Sequence, residues 1–303
     1  MNNNEYVKER CAIKLEASSF ILKNTKVVIL FYVSCFISCA GCAYQSQDNF
    51  SIGFQKVLEG DSIITRFPVP QGFERLRIAE NGFESYLRNL PLKPEGSPIL
   101  NFNGGVLDKK GVYAAVVDLP IGNKDLHQCA DAVMRLRAEY LWKQKRFNEI
   151  HFHFTNGFDV AYSKWMQGYR VVIEGNNTYW TTHQYAPSNT YKDFWNYMET
   201  IFMYAGTLSL SKEMKSIEPM DMNIGDVFIQ GGSPGHAVIV VDMAVNPENQ
   251  ERVFMLAQSY MPAQNLQILL NPATGDVWYN THDLYPLETP EWTFNSGSLK
   301  RFN

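Results

Sequence analysis

IGDVFIQGGSPGHAVIVVDMA, residues 224–244, decides the fold of this 303-residue chain. Two short, β-branched apolar runs, residues 227–229 and 237–241, flank the turn sequence GGSPG. Such runs around a turn rich in Gly and Pro predict a β-hairpin. His236 then opens the second strand, where a histidine serves either as a surface residue at a loop or as a catalytic base held beside a partner from elsewhere in the chain.

The segments on either side of the hairpin predict helices followed by consecutive strands. An amphipathic helix is predicted for LHQCADAVMRLRAEYLW, residues 126–142, because its apolar residues recur every three or four positions. A second helix is predicted for residues 188–206, and a strand for residues 251–260. This order indicates an α+β fold, with an antiparallel sheet packed against the helix that carries Cys129.

Shorter elements complete the predicted fold. Strands are predicted for ITRFPV (64–69), VYAAVVDLP (112–120), IHFHF (150–154) and LQILLN (266–271), and a short helix for residues 159–167. Three aspartates are predicted to be turn or loop-edge carboxylates: Asp118, Asp226 and Asp242.

The N-terminal region differs from the rest of the chain. Lys23 and Lys26 precede VVILFYVSCFIS, an apolar run that is too short for a membrane span and is typical of a signal peptide. The following SCAGCAYQSQDN resembles the lipobox of bacterial lipoproteins, which implies that Cys42, or alternatively Cys39, is lipidated and becomes the mature N-terminus. An ordinary cleaved signal or an uncleaved anchor is the alternative.

These observations divide the chain into three parts. We predict a signal peptide and lipobox over residues 1–42, a polar tether over residues 43–60 and a single α+β domain over residues 61–303. The protein is therefore expected to be exported and held at the membrane of the cell envelope by a lipid anchor.

The cysteines are distributed unevenly. Of the five, Cys129 alone lies in the predicted folded part. An exported protein normally pairs or avoids cysteines, so this residue is a candidate reactive thiol. The alternative is a core cysteine that packs like a small hydrophobe, because Cys129 shares its helical stripe with Leu126, Val133 and Leu136.

A histidine and an amide stand where they would serve such a thiol. A helix N-terminus and a nearby imidazole activate a cysteine, and Cys129 lies in the first turns of its predicted helix. The imidazole of His236 needs a polar acceptor on its other nitrogen to fix its tautomer. Gln258 on the next strand provides one, and Asn265 lies a little beyond.

The same residues resemble a known group of enzymes. The GD at residues 225–226 and HAVIV at residues 236–240 are similar to the GD and HVGIV of papain-like NlpC and CHAP amidases of bacterial cell walls. The resemblance implies a papain-like core with an inserted helical segment, and a cysteine amidase or endopeptidase that cleaves an amide bond in a peptidoglycan-type or peptide substrate. It assigns the nucleophile to Cys129, the base to His236, the orienting role to Gln258 and an oxyanion donor to Gln128.

A second resemblance covers most of the predicted mature chain. It is carried by RFPVPQGFERL, YLRNLPLKP, CADAVMRLRAEYLW, FTNGF and GHAVIVVDMA. These segments resemble an uncharacterised family of exported bacterial lipoproteins, domain of unknown function 4846, which implies no known activity.

A metal site is an alternative that the sequence leaves open. His151 and His153 alternate along the predicted strand and so point the same way, a spacing that can seat a transition metal ion. The third ligand would be one of His183, His282 or Asp118. Two histidines on a solvated strand face explain the pattern as well, and no HExxH or cysteine-pair spacing is present, so we predict no metal.

A second alternative is a non-catalytic envelope lipoprotein that binds glycan or peptide through an aromatic groove. Its candidate residues are Trp180, Trp195 and Trp278, with Tyr179, Tyr279 and Trp292. Nucleic acid is excluded as a partner, because the net charge is −4 and no basic run is present. No cofactor is expected, because the sequence contains no P-loop, GxGxxG or GxSxG motif.

Overall fold

The computed structural model describes residues 61–182, 184–282 and 284–303. The predicted signal peptide, lipobox and tether, with Cys39 and Cys42, lie outside the described residues, as does His183. In the part of the chain that is described, no helix is both long and apolar enough to cross a membrane.

Helices and strands alternate irregularly along the chain. The helices are α1 (Ile63–Arg66), α2 (Phe83–Arg88), α3 (Cys129–Lys143), α4 (Tyr162–Met166), α5 (Tyr191–Tyr204) and α6 (Thr207–Glu213). The strands before α6 are β1 (Glu74–Arg75), β2 (Ile99–Leu100), β3 (Val106–Leu107), β4 (Tyr113–Val116), β5 (His151–His153), β6 (Asp159–Ala161), β7 (Val171–Glu174) and β8 (Asn177–Trp180). The later strands are β9 (Lys215–Ser216), β10 (Val227–Gln230), β11 (His236–Val245), β12 (Arg252–Gln258), β13 (Gln267–Leu269), β14 (Tyr279–Asn280), β15 (Leu287–Glu288), β16 (Thr293–Phe294) and β17 (Leu299–Arg301).

The predicted α+β fold with an antiparallel sheet is confirmed. The main sheet has the order β4-β13-β12-β11-β10-β17-β9, and β1 and β14 pair with β11 and β12 at its sides. Neighbouring strands are antiparallel. The predicted hairpin is β10 and β11, with Gln230 opposite His236 and Ile229 opposite Ala237.

Strand β11 is apolar at consecutive positions because other elements pack on both faces of the sheet. Helix α3 contacts β11 and β12. On the face that carries Phe228 of β10, the rings of Phe294 and Tyr285 lie 6.1 and 6.4 Å from the Phe228 ring, between centroids. A strand that is buried on both faces needs apolar residues at consecutive positions, which is why residues 237–241 do not alternate with polar ones.

Helix α3 is buried on nearly every side because α5 and α6 contact it as well as the sheet. Its Arg135–Glu139 pair is only 1% exposed, with 2.9 Å between Nε and Oε1. The Glu139 carboxylate also accepts hydrogen bonds from the hydroxyls of Tyr86 at 3.2 Å and Tyr191 at 2.6 Å. These bonds satisfy a charge that burial would otherwise destabilise.

Two predicted elements are wrong. Residues 64–69 do not form a strand, because α1 begins after Ser62, whose backbone N–H donates to Thr65 Oγ1 at 3.0 Å in the manner of a helix cap. The helix predicted for residues 159–167 is shorter, since residues 159–161 form β6 and pair with β5. Only residues 162–166 are helical there.

Asp242 is not the loop-edge carboxylate that was predicted. Strand β11 continues to Val245, and an irregularity in its pairing with β12 lies between residues 240 and 242. Asp242 is fully buried and accepts hydrogen bonds from Arg88 Nε at 2.6 Å and Arg75 Nε at 2.7 Å. A bulge reorients the side chains next to it, and here it places a carboxylate between two arginines.

Candidate functional site

Cys129 is the first residue of α3, and the sequence predicted it in the first turns of this helix. The helix begins after Gln128, three residues later than the predicted start at residue 126, and the Gln128 backbone N–H donates to Asp131 Oδ2 at 3.0 Å. Cys129 is 6% exposed. The thiol therefore lies at the positive end of the helix dipole, which favours a negative charge on sulfur.

His236 and Gln258 are in direct contact. Ile239 pairs with Ala257 across β11 and β12, so Val238 lies opposite Gln258 and the side chains of His236 and Gln258 project from the same face. His236 Nε2 and Gln258 Oε1 are 2.8 Å apart, and both residues are 1% exposed. The structure thus brings together the predicted base and its predicted orienting residue.

A series of hydrogen-bonded polar side chains holds Gln258 in place. Its Nε2 donates to Glu291 Oε2 at 2.7 Å, and Glu291 forms an ion pair with Lys109. Because a carboxylate only accepts hydrogen bonds, the Gln258 amide must present its oxygen to the imidazole. The Nε2 atom of His236 therefore carries the proton, and Nδ1 keeps a lone pair that is available to accept one.

His236 is neutral at neutral pH. Burial lowers its pKa to about 4, and the Lys109 charge adds to that effect, whereas the hydrogen bond to Gln258 opposes it. Aromatic rings surround the imidazole: the centroid distances are 4.9 Å to Tyr260, 5.3 Å to Trp292 and 6.0 Å to Phe294. At neutral pH the Nδ1 atom of His236 is therefore unprotonated and can accept a proton, as a weaker base than a solvent-exposed imidazole.

Tyr260 links His236 to the start of α3. The pKa of the Tyr260 phenol is raised by burial, by the charge of Glu291 and by the charge of Cys129. The same ring lies 4.9 Å from Lys109 Nζ. Next to it, Ser259 Oγ donates to the backbone oxygen of His127 at 3.0 Å and so joins the end of β12 to the segment that enters α3. The Tyr260 ring thus contacts His236, and Ser259, the residue before it, contacts the segment that enters α3 at Cys129.

The other predicted polar residues have different partners. Gln128 Nε2 donates to Asp125 Oδ1 at 3.1 Å, so one N–H of this amide is engaged. Asn265, the alternative orienting residue, accepts the backbone N–H of Leu100 at 2.9 Å. Gln258 is thus the amide that contacts His236.

Two of the tryptophans predicted to bind substrate are core residues. Trp195 and Trp278 are 6% and 7% exposed. The Trp195 ring lies 4.9 Å from the Arg135 guanidinium, and Trp278 Nε1 donates to Pro68 O at 3.0 Å. Both indoles therefore pack against other parts of the protein, and their role in substrate binding stays a prediction. Trp180 is half-buried on β8.

Sequence reasoning did not include three residues around the His236–Gln258 pair, namely Tyr260, Glu291 and Lys109. Tyr260 follows Gln258 by two positions, so strand alternation was the signal that pointed to it. Glu291 and Lys109 are far from β12 in the sequence and carry no motif, so no local pattern pointed to either.

The comparisons with known proteins identify a family. A family profile described as Domain of unknown function (4846) matches residues 63–301. The chain belongs to this family. No curated protein and no solved structure matches the chain. The matched range of the 4846 domain includes Cys129, His236, Gln258 and Glu291.

Proposed function

We propose that the domain is a papain-like cysteine hydrolase that cleaves an amide bond in the cell envelope. Cys129 is the nucleophile, His236 the general base and Gln258 the residue that orients the base. The observation that carries the proposal is the 2.8 Å hydrogen bond between His236 Nε2 and Gln258 Oε1. The strand of Gln258 ends beside the segment that enters the cysteine helix.

The tautomer of His236 defines the first chemical step. Its Nδ1 accepts the proton of the Cys129 thiol as the sulfur attacks the carbonyl carbon of the scissile amide. The carbonyl π electrons move onto oxygen, and the charge is stabilised by the second N–H of the Gln128 amide and by the helix N-terminus. Gln258 Oε1 accepts the hydrogen bond from the Nε2–H of His236 throughout and thereby stabilises the imidazolium that forms.

The second half of the reaction reverses these roles. The imidazolium of His236 gives its Nδ1 proton to the leaving nitrogen, the C–N bond breaks, and a thioester to Cys129 remains. A water molecule then loses a proton to Nδ1 and adds to the thioester carbon. Expulsion of the thiolate, which is reprotonated from His236, releases the carboxylic acid and restores the starting state.

We propose peptidoglycan-type stem peptides or cross-bridges as the substrate class. The support is the resemblance of residues 225–226 and 236–240 to cell-wall amidases, together with the leader, which is typical of export. The test is to incubate the purified full-length chain with isolated peptidoglycan and to identify released fragments by mass spectrometry. Fragments that carry a new amine terminus, and that the Cys129→Ala variant does not release, would support the proposal. No release under conditions in which a known amidase is active would reject this substrate.

We also propose that the chain is an exported lipoprotein anchored through Cys42, with Cys39 as the second choice. The small residues Ala40 and Gly41 before Cys42 support this order. Metabolic labelling with an alkyne fatty acid tests it directly: Cys42→Ala should lose the label, and Cys39→Ala should keep it. The opposite pattern would move the anchor to Cys39, and a wild-type chain without label would reject lipidation.

A further inference from the structure

A second cluster of ionisable side chains lies on the β5–β6 hairpin. His151 and His153 project from the same face of β5, and Asp159 of β6 is the direct cross-strand partner of His153. One ligand atom from each of the three residues lies within 4.8 Å of the others. The distance between His151 Nδ1 and Asp159 Oδ1 is 3.3 Å.

We propose that His151, His153 and Asp159 bind one first-row transition metal ion, with Zn²⁺ as the best fit. In a tetrahedral zinc site with bonds of about 2.0–2.1 Å, neighbouring ligand atoms are about 3.4 Å apart. The His151–Asp159 distance already has this value, and the third ligand atom needs only a small side-chain rotation. Two imidazoles with one carboxylate favour zinc and its neighbours over Ca²⁺ and Mg²⁺, which take oxygen ligands.

Glu213 supports one of these ligands from a different element. It is the last residue of α6, and its Oε1 lies 3.1 Å from His153 Nδ1. The same Oε1 accepts the backbone N–H of His153, so Glu213 holds the strand at this residue and places a negative charge beside its ring. A carboxylate beside a ligating imidazole raises the basicity of that ligand. Glu213 is 16% exposed and His153 is 36% exposed, so the supporting group is more buried than the ligand.

The cluster is open to solvent on both sides. A cleft of about 310 Å³ is lined by His151 and Glu213 together with Arg137 and Phe302. A second cleft, of about 390 Å³, is lined by His153, Glu213 and Lys212. Three protein ligands beside open clefts leave a coordination position for water or a small anionic ligand. Neither cleft is lined by Cys129 or His236, so this site is separate from the proposed hydrolase.

The sequence had suggested a different third ligand. Asp118 is exposed on the loop after β4, His282 is exposed after β14, and His183 lies outside the described residues. Asp159 supplies the carboxylate instead. The alternative is that the two histidines only contact the neighbouring carboxylates and bind no metal ion. Both explanations use the same residues.

The experiment is a metal titration of the purified full-length chain after treatment with a chelator. Zn²⁺ affinity is measured by competition with a chromophoric chelator, and Co²⁺ is used as a spectroscopic probe. We expect one saturable site per chain, with cobalt d–d bands of a nitrogen and oxygen site. His151→Ala and His153→Ala should each lose it, whereas the matched control His282→Ala should keep it. Glu213→Gln should bind about 10- to 100-fold more weakly, because it removes only the supporting charge.

Two results would overturn the proposal. The first is the absence of saturable binding in the wild-type chain, or equal binding in the His151→Ala and His153→Ala variants. The second is a thiolate-to-cobalt charge-transfer band, which would assign the ion to cysteines elsewhere in the chain. Circular dichroism of each variant, compared with the wild-type spectrum, separates loss of the site from loss of the fold.

Discussion

Histidines occur in two contrasting environments in this protein. His236 is 1% exposed and enclosed by aromatic rings, whereas the side chain of His151 is 47% exposed beside an open cleft. Each lies on a strand and each has a polar partner, so the residue type and the element do not explain the difference. Burial does: it keeps the imidazole of His236 neutral and away from water, whereas the exposed imidazole of His151 is accessible to ligands from solvent.

The largest expected effect is a loss of amide hydrolysis when the buried site is changed but not when the exposed histidine is changed. His236→Gln and Cys129→Ala should each reduce amide hydrolysis by at least about 10³-fold, because each removes a group that acts on the reacting atoms. His151→Ala should leave the rate unchanged. Fragment release from the substrate, followed by mass spectrometry, measures all three. Slow hydrolysis by His151→Ala together with normal hydrolysis by Cys129→Ala would contradict the proposed cysteine nucleophile. It would indicate that a metal site carries out the hydrolysis.

The next effect concerns stability against pH. The folded pKa of His236, about 4, is below its ordinary value of 6.5, so the unfolded chain binds the proton more tightly between these values. Stability should therefore fall as the pH decreases from about 6.5 to about 4, with about 3 kcal/mol from this one residue. His127, whose pKa is also lowered by burial and by Arg135, adds to the fall.

The measurement is urea unfolding across this pH range. The pH slope of wild-type stability should exceed that of His236→Gln. Equal slopes for wild type and His236→Gln would show that His236 is not buried as a neutral group.

A smaller effect tests the orienting amide against a matched neighbour. Gln258 and Gln267 are both buried and lie opposite each other on β12 and β13, but Gln267 has no hydrogen-bond partner for its amide among the described residues. Gln258→Met should reduce hydrolysis by about 10²-fold through a misplaced imidazole. Gln267→Met should retain activity and unfold at an equal or higher urea concentration, because it removes an unsatisfied buried amide. Equal activity in the two variants would remove Gln258 from the site.

The smallest effect is expected at Glu291, which contacts Gln258 and lies one residue further from His236. Glu291→Gln keeps the shape of the side chain but presents an amide where Gln258 now meets a carboxylate, so the Gln258 amide can rotate away from its present orientation. We expect about a tenfold loss of kcat, about 1.4 kcal/mol in the barrier, with KM unchanged. A change in KM alone would instead indicate that Glu291 contacts the substrate.

The sequence predicts the buried environment better than the exposed one. Strand periodicity and the Gly-Pro turn suffice to place His236 at the start of β11 and Gln258 on the neighbouring strand. The contacts of Gln258 with Glu291 and Lys109 join distant segments, so no local pattern encodes them. The two arginines around Asp242 are likewise long-range partners, and the irregularity that turns this side chain between them has no signal in an apolar run.

The third residue of the exposed cluster was missed because one secondary-structure element was predicted wrongly. Residues 159–161 were predicted to be helical, which placed Asp159 outside any strand. As part of β6, Asp159 pairs with His153, and the carboxylate joins the two histidines. A hairpin around the Asn156-Gly157 turn would have predicted this pairing, because that turn favours short hairpin loops.

The most direct test of the central claim is the rate at which Cys129 reacts with a small alkylating reagent in the native chain. Mass spectrometry quantifies this site separately from the leader cysteines, and the rate is followed across pH in wild type and in His236→Gln. The account predicts that labelling persists well below the ordinary pKa of a cysteine, about 8.5, and that His236→Gln slows it throughout the range. Labelling only after unfolding, or an equal rate in His236→Gln, would make Cys129 a core residue and contradict the proposed hydrolase.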